Sequence, residues 1–225
     1  MTETGEVPRA SRRSIHEEGC IAAHALDILG ERWTFLVMRE LMFGPKRFGL
    51  IRAGLPGISA SVLTQRLEGL EATGIVRRML LPKPAEVQVY ALTDVGLAAR
   101  PVIEALCRWG VRMPGHDPTK FISPSSLMFS MMVMIDEDAA RGLAVRAGFD
   151  LGRESFRGAL VEGRWQVEPG PAEGDLVFAG SPNALAPVIY GPRPLTHWKG
   201  SEAVDFSGDP VLGQRFIDLF SLRRA

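Results

Sequence analysis

Cysteine is scarce in this 225-residue chain, with only Cys20 and Cys107 present. Two thiols do not make a disulfide framework, and no CxxC pair or Cys/His cluster offers a structural zinc site. Histidine is equally sparse. His16, His24, His116 and His197 are scattered without metal-ligand spacing, so no metal is expected. No apolar run approaches the ~20 residues that span a bilayer; the longest, Leu127 to Ile135, is about half that. No membrane partner is expected. Met1 to Ser14 is polar and mixed in charge, unlike a signal peptide, and predicts a flexible arm on a cytoplasmic protein. There is no glycine-rich phosphate loop, so no cofactor is expected. Asp136, Glu137 and Asp138 are neighbours only in sequence and read as a solvated turn, so no enzyme is expected either.

Net charge is also missing: 26 basic residues balance 26 acidic ones. The balance is global, not local. Residues 20–113 hold 12 Lys and Arg against 8 Asp and Glu, whereas residues 114–225 hold 11 against 14. Only the first half has the positive surplus that phosphate attracts. Between the halves, Pro114, Gly115, Pro118 and Pro124 interrupt any helix, which places a domain boundary between 112 and 124. The expected domains are 15–113 and 124–225.

The first half reads as mostly helical. A helix is predicted over Ile21 to Leu29, with Ala22, Ala25, Leu26 and Leu29 on one face and Gly30 as its stop. A second is predicted from Arg32 to Met42, ended by Gly44-Pro45, and a short third from Arg47 to Arg52. Ser59 to Thr73 is the most informative stretch. Ser59 is an N-cap and Gly74 a C-terminal stop. Leu63, Leu67 and Leu70 share one face; Ser61, Gln65, Glu68 and Ala72 share the other, with Thr64 at its edge. Two β-like runs follow, Ile75 to Leu80 and Val87 to Leu92, joined by a tight polar loop at Pro82 to Glu86. A last helix is predicted from Thr93 to Trp109.

Helix, turn, helix and β-hairpin in that order make a winged helix-turn-helix. A helix that enters the major groove needs an apolar back and a front of small or amide side chains. The Ser59–Thr73 segment has both. Ser61, Thr64 and Gln65 are donors and acceptors for base edges, and Gln65 suits adenine. Arg66 at the flank, Lys46 and Arg47 at the preceding short helix, and Arg77, Arg78 and Lys83 on the hairpin are candidate phosphate contacts. Duplex DNA is the expected partner. The bland alternative is a helical bundle with solvated arginines.

These residues resemble the HxlR-type winged-helix regulators. The likeness is carried by Leu29-Gly-Glu-Arg-Trp-Thr34, Arg39 to Phe48, Gly57-Ile-Ser59, Leu63 to Leu70, Gly74 to Arg77 and Tyr90 to Gly96, and covers about residues 15 to 112. The resemblance implies a homodimer formed by the first and last helices of the domain, and a two-fold symmetric operator. Trp33 and Trp109 are then core or dimer residues, and Ile103, Leu106 and Trp109 form a stripe for a partner helix. It also implies a possible redox role for Cys20, which begins the first helix, and for Cys107 in the last. The helix dipole lowers a thiol there, while Glu17 and Glu18 raise it.

The second half predicts a Met-rich helix over Leu127 to Ile135 and strands at Ala144–Leu151, Glu154–Val161, Arg164–Glu168 and Asp175–Ala179, with Glu162-Gly163 as a hairpin turn. Ser181 caps a helix to about Tyr190, Ala203 to Phe206 is an edge strand, and Asp209 opens a terminal helix. Val161 to Trp165, Ala179-Gly-Ser181, Leu185 to Gly191, Val204 to Asp209 and Arg215 to Phe220 resemble sterol-carrier-protein-like domains. That resemblance implies a small α+β fold around an apolar cavity that takes a lipophilic effector. Met128, Met131, Met132, Trp165, Leu185, Ile189, Phe216 and Phe220 are the candidate lining; the alternative is that they fill an ordinary core. The expected whole is α+β, a winged helix-turn-helix domain followed by a sterol-carrier-like one. The rival reading is a lipid carrier that uses its helix-turn-helix only to dimerise.

Overall fold

The computed structural model describes residues 18–84 and 86–222. The expected N-terminal arm, His16 and Glu17 lie outside the described residues. The chain divides into two compact units between Ile103 and Glu104.

The first unit opens with α1 (Ile21–Leu29), α2 (Thr34–Glu40), α3 (Phe48–Ala53) and α4 (Ala60–Ala72). Strands β1 (Val76–Leu80) and β2 (Gln88–Leu92) then pair antiparallel, with Val76 opposite Leu92 and Leu80 opposite Gln88. The predicted last helix is two helices, α5 (Asp94–Ala98) and α6 (Arg100–Gly110). Pro101 explains the break. It has no N–H to give to the carbonyl four residues back, but it is well tolerated in the first turn of a new helix. Thr93 caps α5 by accepting from Gly96 N at 3.2 Å. The core joins Val37, Met38 and Leu41 of the α2 region to Ile51, Leu63, Leu67 and Leu70, all buried. This is an α+β winged helix-turn-helix, with α3 and α4 as its two helices and β1–β2 as its wing.

The second unit contains α7 (Pro124–Met134), β3 (Arg146–Asp150), β4 (Ser155–Val161), β5 (Arg164–Pro169), β6 (Leu176–Gly180), α8 (Pro182–Tyr190), a 3-10 turn at Leu195–Trp198, β7 (Val204–Gly208) and α9 (Pro210–Ile217). Its five strands lie in the order β5-β4-β3-β6-β7, with β3 and β6 parallel and the other pairs antiparallel. All three of its long helices start the same way, with a capping side chain followed by proline. Ser123 accepts from Ser126 N, Ser181 from Ala184 N, and Asp209 from both Val211 N and Leu212 N. Pro124 therefore opens a helix rather than only closing a linker, because its fixed φ suits the first helical position. Asp136 to Ala140 is a turn with no helix after it. Glu162 and Gly163 both have positive φ, as a two-residue hairpin turn requires.

α7 is buried on nearly every side, which is why its sequence shows no polar face. Over the inner face of the sheet sits an aromatic cluster. Phe149 stacks on Phe178 at 5.3 Å, and Trp165 meets Phe216 edge-on at 5.2 Å. Gly158 makes this packing possible, since a Cβ there would stand 2.5 Å from Trp165 Cζ2 and 2.6 Å from the Gln166 carbonyl. Gly158→Ala is therefore expected to cost about 1–3 kcal/mol of stability. Gly49→Ala, on a helical backbone with open space at the Cβ, is expected to gain about 0.5–1 kcal/mol. Urea unfolding of the two variants against wild type checks both signs.

Candidate nucleic-acid interface

Both ends of α4 are fixed by short-range chemistry. Ser59 Oγ accepts from Val62 N at 3.2 Å. At the other end Gly74 takes φ +71°, Ile75 N donates to Leu70 O at 2.9 Å, and Gly74 N donates to Glu71 O at 3.0 Å. This pair of bonds, with buried Ile75 and Leu70 side by side, is a Schellman stop. Leu63, Leu67 and Leu70 point into the core, while Ser61, Thr64, Gln65, Glu68 and Ala72 are exposed. Ser59 Oγ lies 3.0 Å from Ser61 Oγ, which links the cap to the polar front.

The sequence-predicted cations divide into two groups. Arg47, at the N-cap of α3, is exposed, as are Arg77 on β1 and Lys83 at the wing tip, where Lys83 lies 3.5 Å from Glu86. Arg78 is also exposed, but its guanidinium lies over the Tyr90 ring and donates to Glu71 of α4 at 3.0 Å. Lys46 and Arg66 differ from expectation. Lys46 is 5% exposed, with its ammonium 3.3 Å from the buried Glu40 carboxylate. Arg66 is 8% exposed, with Nη1 3.1 Å from Glu31 Oε2. Lys46 is held inward by the buried Glu40 carboxylate, whereas Arg66 pairs with the half-exposed Glu31; a phosphate would have to compete with either pair. Sequence reasoning passed over Arg52, exposed in the last turn of α3. It also missed the bridge between Lys46 and Tyr90, which adds a third, one-residue rung to the wing. No local spacing singles out Arg52, and the bridge has no local signature.

Cys20 is exposed and Cys107 half-buried. The backbone amides of Ala23 and Ala22 hold the Cys20 thiol below the usual range for cysteine. Helix amides set the direction. The apolar face predicted for α1 is mostly exposed: Ala22, Ala25 and Leu26 face solvent and Leu29 is half-buried, while the helix's buried residue, Ala23, is off that face, and Ile21 is exposed as well. On α6, Ile103 is buried while Val102, Leu106 and Trp109 are exposed, Trp109 at 61%. Trp33 is half-buried, with the Arg32 guanidinium over its ring.

The candidate ligand lining in the second unit is closed core. Met128, Met131, Leu185 and Phe216 have no exposed area, so no void that admits water touches them. Trp165, Ile189 and Phe220 are buried too, and Met132 is half-buried. Phenyl and indole rings occupy the space where a cavity was expected. An open cleft of about 940 Å³ lies instead beside α8 and α9, lined by Pro187, Pro192, Pro194, Ile217 and Phe220 among others. Of the expected lining, only Phe220 borders it. Among the described residues, no helix is long and apolar enough to cross a membrane.

The model of the HxlR-like helix-turn-helix family matches residues 28–117. The uncharacterised HTH-type transcriptional regulator YvaP of Bacillus subtilis is 38% identical over 104 residues, which are 46% of this chain and 88% of YvaP. The chain belongs to the HxlR-like helix-turn-helix family. A second B. subtilis member of the comparison, the HTH-type transcriptional regulator YodB, is 40% identical over 85 residues, 38% of this chain and 76% of YodB. The solved reduced form of YodB matches at 35% identity over 44% of this chain and all of YodB, with a TM-score of 0.39. The HxlR-like match ends before α7, so it covers the helix-turn-helix and the wing and leaves residues 118–225 outside. Exposed Cys20 lies just N-terminal to that match. Its alkylation by iodoacetamide is expected to reach half its limiting rate below the pH ~8.5 of an ordinary thiol, and half-buried Cys107 is expected to react more slowly. Mass spectrometry of the two peptides over a pH series measures both.

Proposed function

We propose that this protein is a DNA-binding transcription regulator that acts as a homodimer on a two-fold symmetric operator, with α4 in the major groove. The division of α4 carries the reading: its leucines are inside, and Ser61, Thr64 and Gln65 are outside. Short hydroxyl and amide side chains on a convex helix fit base edges. Arg47, Arg52, Arg77 and Lys83 are exposed cations on the elements flanking α4, suited to phosphate. The names of YvaP and YodB as HTH-type transcriptional regulators support the same function. The carrier reading leaves the α4 front and its flanking arginines without a role.

The apolar residues left bare on α1 and α6 support a dimer. Ile21, Leu26, Val102, Leu106 and Trp109 are the kind of side chains that a partner copy covers. Cys20, exposed and with a lowered pKa, is the thiol suited to an electrophile sensor. Residues 124–225, most of the second unit, are read as the sterol-carrier-like module. The proline-rich cleft beside α8 and α9 is its entry for a lipophilic effector, because the aromatic core is filled. An effector of this kind acts only by binding two states of the dimer unequally.

Operator binding measured over a salt series tests the reading. Arg47→Ala is expected to weaken binding on all sequences and to lower the salt slope by about 1. Gln65→Ala is expected to relax base preference by about 1–3 kcal/mol at its contact. Trp109→Ala is expected to shift sedimentation toward monomer. Salt-independent binding, with no change in either DNA variant, would falsify the reading.

A further inference from the structure

A fully buried carboxylate ends α2. Glu40 Oε1 accepts from Arg39 Nη2 at 2.7 Å, and Oε2 accepts from Lys46 Nζ at 3.3 Å. The end of α3 closes over this acid, and a Cβ on Gly54 would collide with Glu40 Oε2. Lys46 then holds the wing. Its N–H donates to the Tyr90 carbonyl at 2.9 Å, and Tyr90 N–H donates to the Lys46 carbonyl at 2.8 Å. The Tyr90 ring lies under the Arg78 guanidinium, which donates to Glu71 of α4. One acid therefore stands where α2, α3 and the wing meet. Packing alone does not call for it, since apolar side chains of similar volume fill such a space at no greater cost than a buried ion pair. What a charge adds is a fixed partner for one particular lysine.

We propose that Glu40 is a positioning residue for DNA binding. Its carboxylate holds Lys46, and through the Lys46–Tyr90 bridge it sets the wing against α3 and α4, so that Arg77 and Lys83 meet the backbone in register with the α4 front. The consequence for DNA rests on the proposed function; the hold on the wing rests on geometry alone. When Glu40 is made neutral, the Lys46 ammonium loses that carboxylate and moves toward water, and its backbone draws away from Tyr90.

The test compares full-length wild type, Glu40→Gln and Glu40→Gln/Lys46→Met by amide hydrogen exchange of the free protein and by hydroxyl-radical footprinting on DNA. In Glu40→Gln the Lys46 and Tyr90 amides are expected to exchange about tenfold faster, while the Leu67 amide inside α4 keeps its rate. The footprint is expected to lose its outer, wing-facing sugars and keep its centre. The double variant removes the displaced ammonium and is expected to recover Tyr90 protection. Wild-type exchange at Lys46 and Tyr90 overturns the proposal. So does a uniform rise at every amide in both variants, which is lost stability without positioning, or a loosened wing with a full-width footprint. If wild type leaves no footprint on any DNA, the DNA-binding reading fails, and the exchange rates still decide whether Glu40 holds the wing.

Discussion

The inward burial of three leucines on α4 governs everything that the first unit presents to solvent. Leu63, Leu67 and Leu70 have 3% exposure or less. Burying one such side chain is worth roughly 1.5–3 kcal/mol, so rotating the helix to expose them has a cost that no surface contact offsets. Once the leucines are inside, the rotation of α4 about its axis is fixed, and Ser61, Thr64 and Gln65 must face out. The Ser59 cap and the Gly74 stop then fix where the helix begins and ends. The polar front is a consequence of the apolar back.

The same constraint sorts the cations. Lys46, beside the buried Glu40 carboxylate, turns inward, and Arg66 lies buried with its guanidinium on the half-exposed Glu31. Lys46 follows Glu40, Arg66 follows Glu31, and Arg47, Arg52, Arg77 and Lys83 remain outside. The inward pair tie elements together; the outward set keep their charge in solvent. Positive charge in this half of the chain thus has two separate placements.

How far the sequence revealed this depends on whether the cause is local. The α4 boundaries, its face assignment, the wing, the Glu162-Gly163 turn and the β7 edge all follow from spacing within a few residues, and all are present. The break at Pro101 was also local, but a continuous apolar pattern concealed it. The burial of Lys46 was not legible, because its partner Glu40 lies across a turn. A signal existed: Glu40 is three residues after Val37 and next to Leu41, so it falls on the buried side of α2, where an acid needs a cation. The face of α1 was legible as apolar, but periodicity does not separate a buried face from one left exposed. In the second unit the strands and caps were legible. The closed core was not, because aromatic residues that line a cavity and those that fill one share a single pattern.

Photo-crosslinking from the DNA side reads out which element enters the groove. 5-Bromouracil places its halogen in the major groove, at the position of the thymine methyl group. With operator DNA carrying it at single sites, the account predicts crosslinked peptides from 59–65 of α4, with label at Thr64 or Gln65. Crosslinks confined to other elements, with α4 unlabelled at every substituted position, would contradict it.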